Sequence, residues 1–301
     1  MCNMTRLLLI LLLLLSGCSI HGKSSDPFII VHPDREGTGF DSVRWSPDGK
    51  QISFIKDGTL FVRDMRTGTI KELISKSLVL RSIWLNSSLI LYYINDGSAS
   101  LKGTINKVDV NTGKVSLVAK DSDSIQTINL FENTVYLGED KKGIRTLNLN
   151  ELNNVRPNQV AISLENGSDF KISPGGDKIA FLDWTSRDSI TNAKKAFLSL
   201  YDIEKKEINQ IDQLKNYKIY NYCWSPNGKY IAFAGQSQED KVPNLFVVNM
   251  GSHGHPLLLE PSINAADLDW SPGKNQLIVE KVGQPGQNDI RLINIPAQLL
   301  Q

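Results

Sequence analysis

Histidine and cysteine are scarce in this chain, at four and three residues out of 301. His253 and His255 in GSHGHP form the one closely spaced histidine pair, and no third ligand lies near them in sequence. They read as part of a polar loop, so no metal site is expected. The chain has no G-x-S-x-G, no H-E-x-x-H and no glycine-rich loop leading into a helix. Those absences remove the nucleophile elbow, the zinc-protease helix and the phosphate cradle. No catalytic residue can be named and no cofactor is expected. Helical periodicity of any length is missing as well. Charge of one sign is not in excess, with 33 Lys+Arg against 32 Asp+Glu and a formal net charge of +1. A near-neutral chain without a basic tail is a poor partner for nucleic acid.

A long apolar run is also lacking. The most apolar stretch, Leu7–Leu15, follows Arg6 and stops at Ser16-Gly17-Cys18. A bilayer-spanning helix needs about 20 apolar residues, so this run reads as an export signal. Leu15-Ser16-Gly17-Cys18 resembles the lipobox of bacterial lipoproteins. The resemblance implies residues 1–17 as a cleaved signal peptide and Cys18 as the lipidated residue. The polar stretch SIHGKSSD completes a tether over residues 18–26. Lone His21 there reads as solvated. With the mature chain close to neutral, membrane attachment would rest on the lipid and not on a polybasic patch. Ser19 stands where an Asp often retains lipoproteins at an inner membrane, so in a two-membrane cell the expectation is the outer one. Cys2 would leave with the signal. That leaves Cys223, beside Trp224, as a buried small hydrophobe without a disulfide partner.

What is abundant is repetition. WSPDGKQISFI at Trp45–Ile55 returns as WSPNGKYIAFA at Trp224–Ala234. A bulky apolar anchor followed seven residues later by another recurs at Ile172 and Ile179 and at Trp270 and Leu277. Weaker copies place Trp84 before Ile90 and Ile128 before Val135. Each copy reads as a short strand ending at the anchor, a tight turn, an apolar run such as QISFI or KIAFL, and a third strand such as TLFVRDM. A polar turn and a weaker fourth strand complete it. β-prone runs at this spacing predict an all-β fold of six blades, each four antiparallel strands. In Ser46-Pro47-Asp48-Gly49 the proline, the aspartate and the glycine are all turn formers. Phe28–His32 is an apolar β-prone run without a partner of its own, and the sixth copy supplies only three strands. The expectation is a ring closed by Phe28–His32 pairing with Arg291–Ile295 in the last blade.

The repeat is similar to that of TolB-like propellers, relatives of WD repeats. The resemblance covers roughly residues 27–301 and is carried best by the copies at Trp45 and Trp224. It implies a six-bladed β-propeller. There is no room between Cys18 and the first blade for the α/β domain that precedes the propeller in TolB itself, so TolB's contacts are not carried over.

In such a ring the anchor tryptophans read as packing between blades. Asp41, Asp169 and Asp267 fall near the starts of first strands, toward the central channel, where a gathered cation and solvated strand ends both remain open readings. The longest connections join second to third strands and share a face with the blade-to-blade links. Loops of that kind carry function. The candidate partner-binding residues are therefore Trp184, Arg187, Asp188, Lys194, Lys195, Tyr217, Glu239 and Asp240. Their mixed charge suits an envelope protein or a glycan. Two functions stay open: a lipid-anchored, non-catalytic scaffold, or a small lyase or hydrolase acting on a sugar or peptide at the channel mouth. The missing catalytic constellation favours the scaffold. Labelled fatty acid should enter the wild-type protein and not the Cys18→Ala variant; label retained in the variant would refute the lipobox.

Overall fold

The computed structural model describes residues 29–31, 40–75, 77–95, 97, 103–122, 125–139, 143–150, 162–164, 166–187, 194–252, 254–283 and 288–300. The expected signal peptide, Cys18, the tether and both Phe28 and His32 lie outside them. The strands group into six antiparallel sheets. Blade 1 is β2 (Phe40–Trp45), β3 (Gln51–Lys56), β4 (Thr59–Asp64) and β5 (Ile70–Ile74). Blade 2 is β6 (Val79–Asn86), β7 (Leu89–Asn95), β8 (Gly103–Asp109) and β9 (Val115–Ser122). Blade 3 is β10 (Ile125–Phe131), β11 (Thr134–Glu139) and β12 (Gly143–Asn148). Blade 4 is β13 (Gly167–Ile172), β14 (Lys178–Arg187), β15 (Lys194–Asp202) and β16 (Glu207–Gln210). Blade 5 is β17 (Lys218–Trp224), β18 (Tyr230–Gln236), β19 (Asn244–Asn249) and β20 (Leu257–Glu260). Blade 6 is β21 (Ala265–Trp270), β22 (Gln276–Lys281), β23 (Asp289–Asn294) and, at its outer edge, β1 (Ile29–Val31).

The innermost strands β2, β6, β10, β13, β17 and β21 contact one another in that order, and β21 returns to β2. The molecule is thus a closed six-bladed ring. Closure takes the expected form, with Ile29 paired to Arg291 and Val31 to Ile290. In blade 3 the fourth position is held, among the described residues, by one bridge between Ile144 and Ile162.

The apolar runs have a direct cause. Second and third strands are covered on both faces by neighbouring blades, so β18 is buried along YIAFAG and β3 along ISFI. Such strands lose the alternation that a half-solvated strand shows. Outer strands keep it poorly or not at all, and β16 is exposed throughout. The core is correspondingly divided into six clusters, each between two adjacent blades. Ile55, Leu60 and Val62 meet Trp84, Ile90 and Tyr92 across one seam. Val31, Ile278 and Ile290 meet Val43, Trp45 and Phe54 across the closing one.

The Ser-Pro turns follow one plan. Ser46 Oγ accepts from Gln51 N at 2.9 Å and donates to Asp48 Oδ1 at 2.7 Å. Ser173 makes the matching bonds with Lys178 N and Asp177, and Ser225 with Tyr230 N and Asn227. The third residue after the serine is glycine with φ of 67°, 71° and 68° in the three copies, a left-handed backbone that other residues rarely adopt. The serine is therefore the pivot of the motif and is buried in each copy. Blade 3 departs from the expected spacing. Val135 pairs with Leu130, while Ile128 pairs with Leu137. Lacking the Ser-Pro turn, this hairpin closes through Glu132 and Asn133 alone, with Glu132 at φ 51°, and the partner of Val135 moves two residues along.

Val31 is 6% exposed in the closing cluster. Replacing it with Asp would bury an unpaired carboxylate, at a cost of about 3 kcal/mol or more. Urea denaturation should show that loss; an unchanged midpoint would mean β1 does not hold the ring shut.

Candidate functional site

The innermost strands surround a cavity of about 350 Å³. All six contribute to it, and so does Pro47 in the first Ser-Pro turn. Every innermost strand carries a register shift where it faces this space. The shifts fall between Asp41 and Arg44, Val79 and Arg81, Ile125 and Thr127, Ser168 and Lys171, Ile219 and Asn221, and Ala265 and Asp267. A bulge bends its strand and re-aims the side chains beside it. At Ser42 and Asp169 it drives the backbone to φ 53° and 50°.

These side chains form a belt from blade to blade. Ser42 Oγ donates to Ser82 O at 3.1 Å. Arg81 Nε donates to Gln126 O, and Asn129 Nδ2 to Phe170 O at 2.6 Å. Lys171 Nζ donates to Tyr222 O and, at 2.9 Å, to Asn221 Oδ1. Trp224 Nε1 donates to Lys171 O at 3.1 Å across the same seam. Asn221 Nδ2 donates to Ala266 O at 2.6 Å. The closing seam reverses the polarity. There Asp267 Oδ2 accepts from Val43 N at 3.0 Å and from Arg44 at 2.6 Å, and Asp269 Oδ2 accepts from Trp45 N at 2.8 Å.

Burial shapes the charges. It pushes Asp269 up to about 6, against the pull of Arg44 and the Trp45 amide. Asp169 is raised too, first by burial, with Lys171 working against it. For Arg44 burial opposes the charge, but Asp267 and Asp269 outweigh it and the guanidinium is held more firmly charged than usual. Burial also pushes the Cys223 thiol far up, as suits an inert core residue. Among the described residues no group of three or more His, Cys, Asp or Glu is placed to hold a metal. Asp169 and Asp267 line the cavity as read from the sequence; the side chain of Asp41 lies outside the described residues.

The anchor tryptophans do pack between blades. Trp45, Trp84 and Trp270 are buried and Trp224 is half-buried against its seam. The loop-face candidates are only partly gathered. Trp184 is 38% exposed, its Nε1 donating to Ser168 Oγ at 2.8 Å. Its backbone N–H bonds Asn166 O in the link before β13. Arg187 pairs with Lys194 and Ser186 with Lys195 as backbone partners of one long hairpin. The side chains of Arg187, Lys194 and Lys195, and all of Asp188, lie outside the described residues. Tyr217 is more structural than its sequence suggested. Its ring meets Phe233 and Phe246 edge-on, at 5.5 and 5.2 Å. Burial raises its hydroxyl's pKa, helped by Asp240 and Glu239, so these three residues do share one neighbourhood. Asp240 organises its own loop by accepting from Ser237 N at 2.8 Å. The Ser-Pro turns collect on the opposite face: a Cβ placed at Gly228 would stand 3.7 Å from Pro174, and one at Gly49 3.6 Å from Pro272. The belt is what sequence reasoning missed. Its members all lie on innermost strands but share neither one strand position nor one residue type.

No family model and no curated protein matches the chain. Solved structures with a similar fold do exist. TolB from Acinetobacter baumannii is 15% identical with a TM-score of 0.56, over 86% of this chain and 64% of that one. The chain thus spans less than two thirds of that TolB. A chain of the mitotic checkpoint complex is 13% identical with a TM-score of 0.56, over 99% and 87% of the two chains. Oligogalacturonate lyase in complex with manganese is 13% identical with a TM-score of 0.55, over 87% and 79%. At such identities the likeness is one of fold: the chain is a TolB-like six-bladed propeller.

The Asp269 shift has a sign. A carboxyl raised from 3.8 to about 6 binds its proton more tightly in the folded state. Its contribution favours the fold below pH 4 and is lost as pH rises through 6. Asp269→Asn keeps an acceptor for Trp45 N and removes the titration. Between pH 4 and 6 the variant's stability should therefore fall less than the wild type's; parallel urea curves across that range would contradict it.

Proposed function

We propose that this chain is a lipid-anchored, non-catalytic propeller of the cell envelope that holds a protein partner on its long-loop face. The lipobox supports the anchor, and Ser19 after it supports the outer membrane as its place in a two-membrane cell. The observation that carries the binding face is Trp184, an aromatic left 38% exposed beside blade-to-blade links. Val242, in the Gln236–Pro243 connection of the neighbouring blade, is 47% exposed on the same face. Large aromatics surrounded by mixed charge are the usual anchors of protein interfaces. The ring keeps its stability in the seams, so this face is free to be shaped by a partner. A propeller of similar fold sits in the mitotic checkpoint complex, a multiprotein assembly. The lyase shares the fold and lends no activity to this chain.

Affinity capture from solubilised envelope tests the reading. A partner retained by wild type should be lost by Trp184→Ala and weakened by Glu239→Lys. Lys229→Glu, an exposed change in a Ser-Pro turn on the opposite face, should leave capture intact. Exposed charges contribute about 0–1 kcal/mol to stability, so melting of the two charge variants should barely change. Capture that survives both loop-face changes, or fails only with Lys229→Glu, would move the interface elsewhere.

A further inference from the structure

The channel wall divides into two kinds of side chain. Arg44, Asn221, Asp267 and Asp269 are committed to the seams around blades 5, 6 and 1. On blades 3 and 4 the cavity is lined by two side chains that brace no seam by a hydrogen bond. The backbone carbonyls of Gln126 and Asp169 accept from Arg81 and Tyr222 respectively. Among the described residues neither side chain has a hydrogen-bond partner. Lys171 Nζ stands 3.9 Å from Asp169 Oδ2, an ion pair beyond hydrogen-bond reach. Asp169 sits at φ 50° in the β13 bulge. A carboxylate oxygen without a hydrogen bond, in a cavity of about 350 Å³, calls for a ligand; small-molecule sites span roughly 300–1,000 Å³.

The surrounding charges select its chemistry. Asp169 feels the positive charge of Lys171, Arg44 and Arg81, and the negative charge of Asp267. A cationic ligand at Asp169 would meet three cations, and an anionic one would meet three carboxylates lining the same space. A hydroxyl group avoids both conflicts, because it donates and accepts at once. It can donate to Asp169 while accepting from the Gln126 amide or from the Nη2 of Arg81, whose Nε and Nη1 are engaged by Gln126 O and Leu80 O. Half-buried Trp224 also lines the cavity and offers apolar surface to the C–H face of a ring. We propose that the channel binds a neutral saccharide, with neighbouring hydroxyls shared among Asp169, Gln126 and Arg81. This site is separate from the loop face and stands whether or not a protein docks there.

Tryptophan fluorescence should follow binding, since Trp84 and Trp224 border the cavity. The full mature chain would be titrated with glucose, N-acetylglucosamine and their β-1,4 disaccharides, and with galacturonate and glucosamine as charged counterparts. At least one neutral sugar should give a saturable change, and both charged sugars should bind more weakly. Asp169→Asn, chosen because Asn tolerates the left-handed backbone, should weaken binding up to about tenfold, as exchanging a charged acceptor for a neutral one implies. Gln126→Ala should also weaken it while leaving the melting temperature unchanged, because that side chain supports nothing in the fold; it decides the matter should Asp169→Asn fail to fold. No response to any neutral sugar overturns the proposal. So does affinity untouched by Gln126→Ala, or a charged sugar that binds as tightly as its neutral counterpart.

Discussion

A blade of this ring has two apolar faces and can cover neither by itself. Each face becomes interior only when the next blade is laid against it, so the core consists of six separate seams. Five of the seams are made by neighbours in sequence. The sixth must join the ends of the chain, and without it two apolar faces and their strand edges would meet water. Two devices hold it. At the rim, β1 adds an outer strand to blade 6 and puts Val31 into the seam; full burial of such a side chain contributes about 1.5–3 kcal/mol. At the axis, Asp267 and Asp269 grip the backbone of β2 and the side chain of Arg44. A hydrogen bond to a charged group contributes about 1.5–3 kcal/mol, so each bond of the axial grip is comparable to the burial of Val31.

The axial grip is also where the ring tolerates electrostatic tension. The pair Arg44–Asp267 satisfies both members, and a second carboxylate only one strand position away is then surplus charge. The rise of Asp269 to about 6 comes first from its burial, with Asp267 adding a smaller push against the pull of Arg44. A fold governed by stability alone would do as well with a neutral acceptor at this place. The carboxylates do bring one property an apolar seam lacks. They fix which backbone amides of β2 face blade 6, and so fix the register at the one seam that chain connectivity does not set.

Much of this was legible in sequence because seams repeat. Trp45, Trp224 and Trp270 recur with their turns because the same packing problem is solved at each, and Phe28–His32 stood out as a strand without a blade. The Ser-Pro turn was legible as a turn but not in its mechanism. The proline and glycine draw attention, whereas buried Ser46, Ser173 and Ser225 do the cross-bracing. Blade 3 misled the spacing rule for the same reason. With no serine pivot the hairpin tightens, and Leu130 takes the place that Ile128 would have held. The belt was not legible at all. Its positions are occupied by Ser42, Arg81, Asn129, Lys171, Asn221 and Asp267, residues about 40 to 50 positions apart in sequence and of five different types.

That variety separates the two sides of the channel. If each belt residue served only to join its seam, one residue type repeated six times would suffice, as the repeated serine does in the turns. Instead the side-chain donors bond carbonyls in five seams and the carboxylates take amides in the sixth, and blades 3 and 4 keep Gln126 and Asp169 out of the scheme altogether. A buried carboxylate oxygen without a hydrogen bond, such as Asp169 Oδ2, is a cost that folding alone gives little reason to keep. At Asp169 it faces the cavity from the bulge of β13. The loop face, by contrast, adds only the Tyr217 ring to the seams: Trp184 and Glu239 could change without touching any of the six clusters. The propeller thus presents a surface that evolution can vary without structural consequence and an interior pocket whose oddities are held in place by the ring itself.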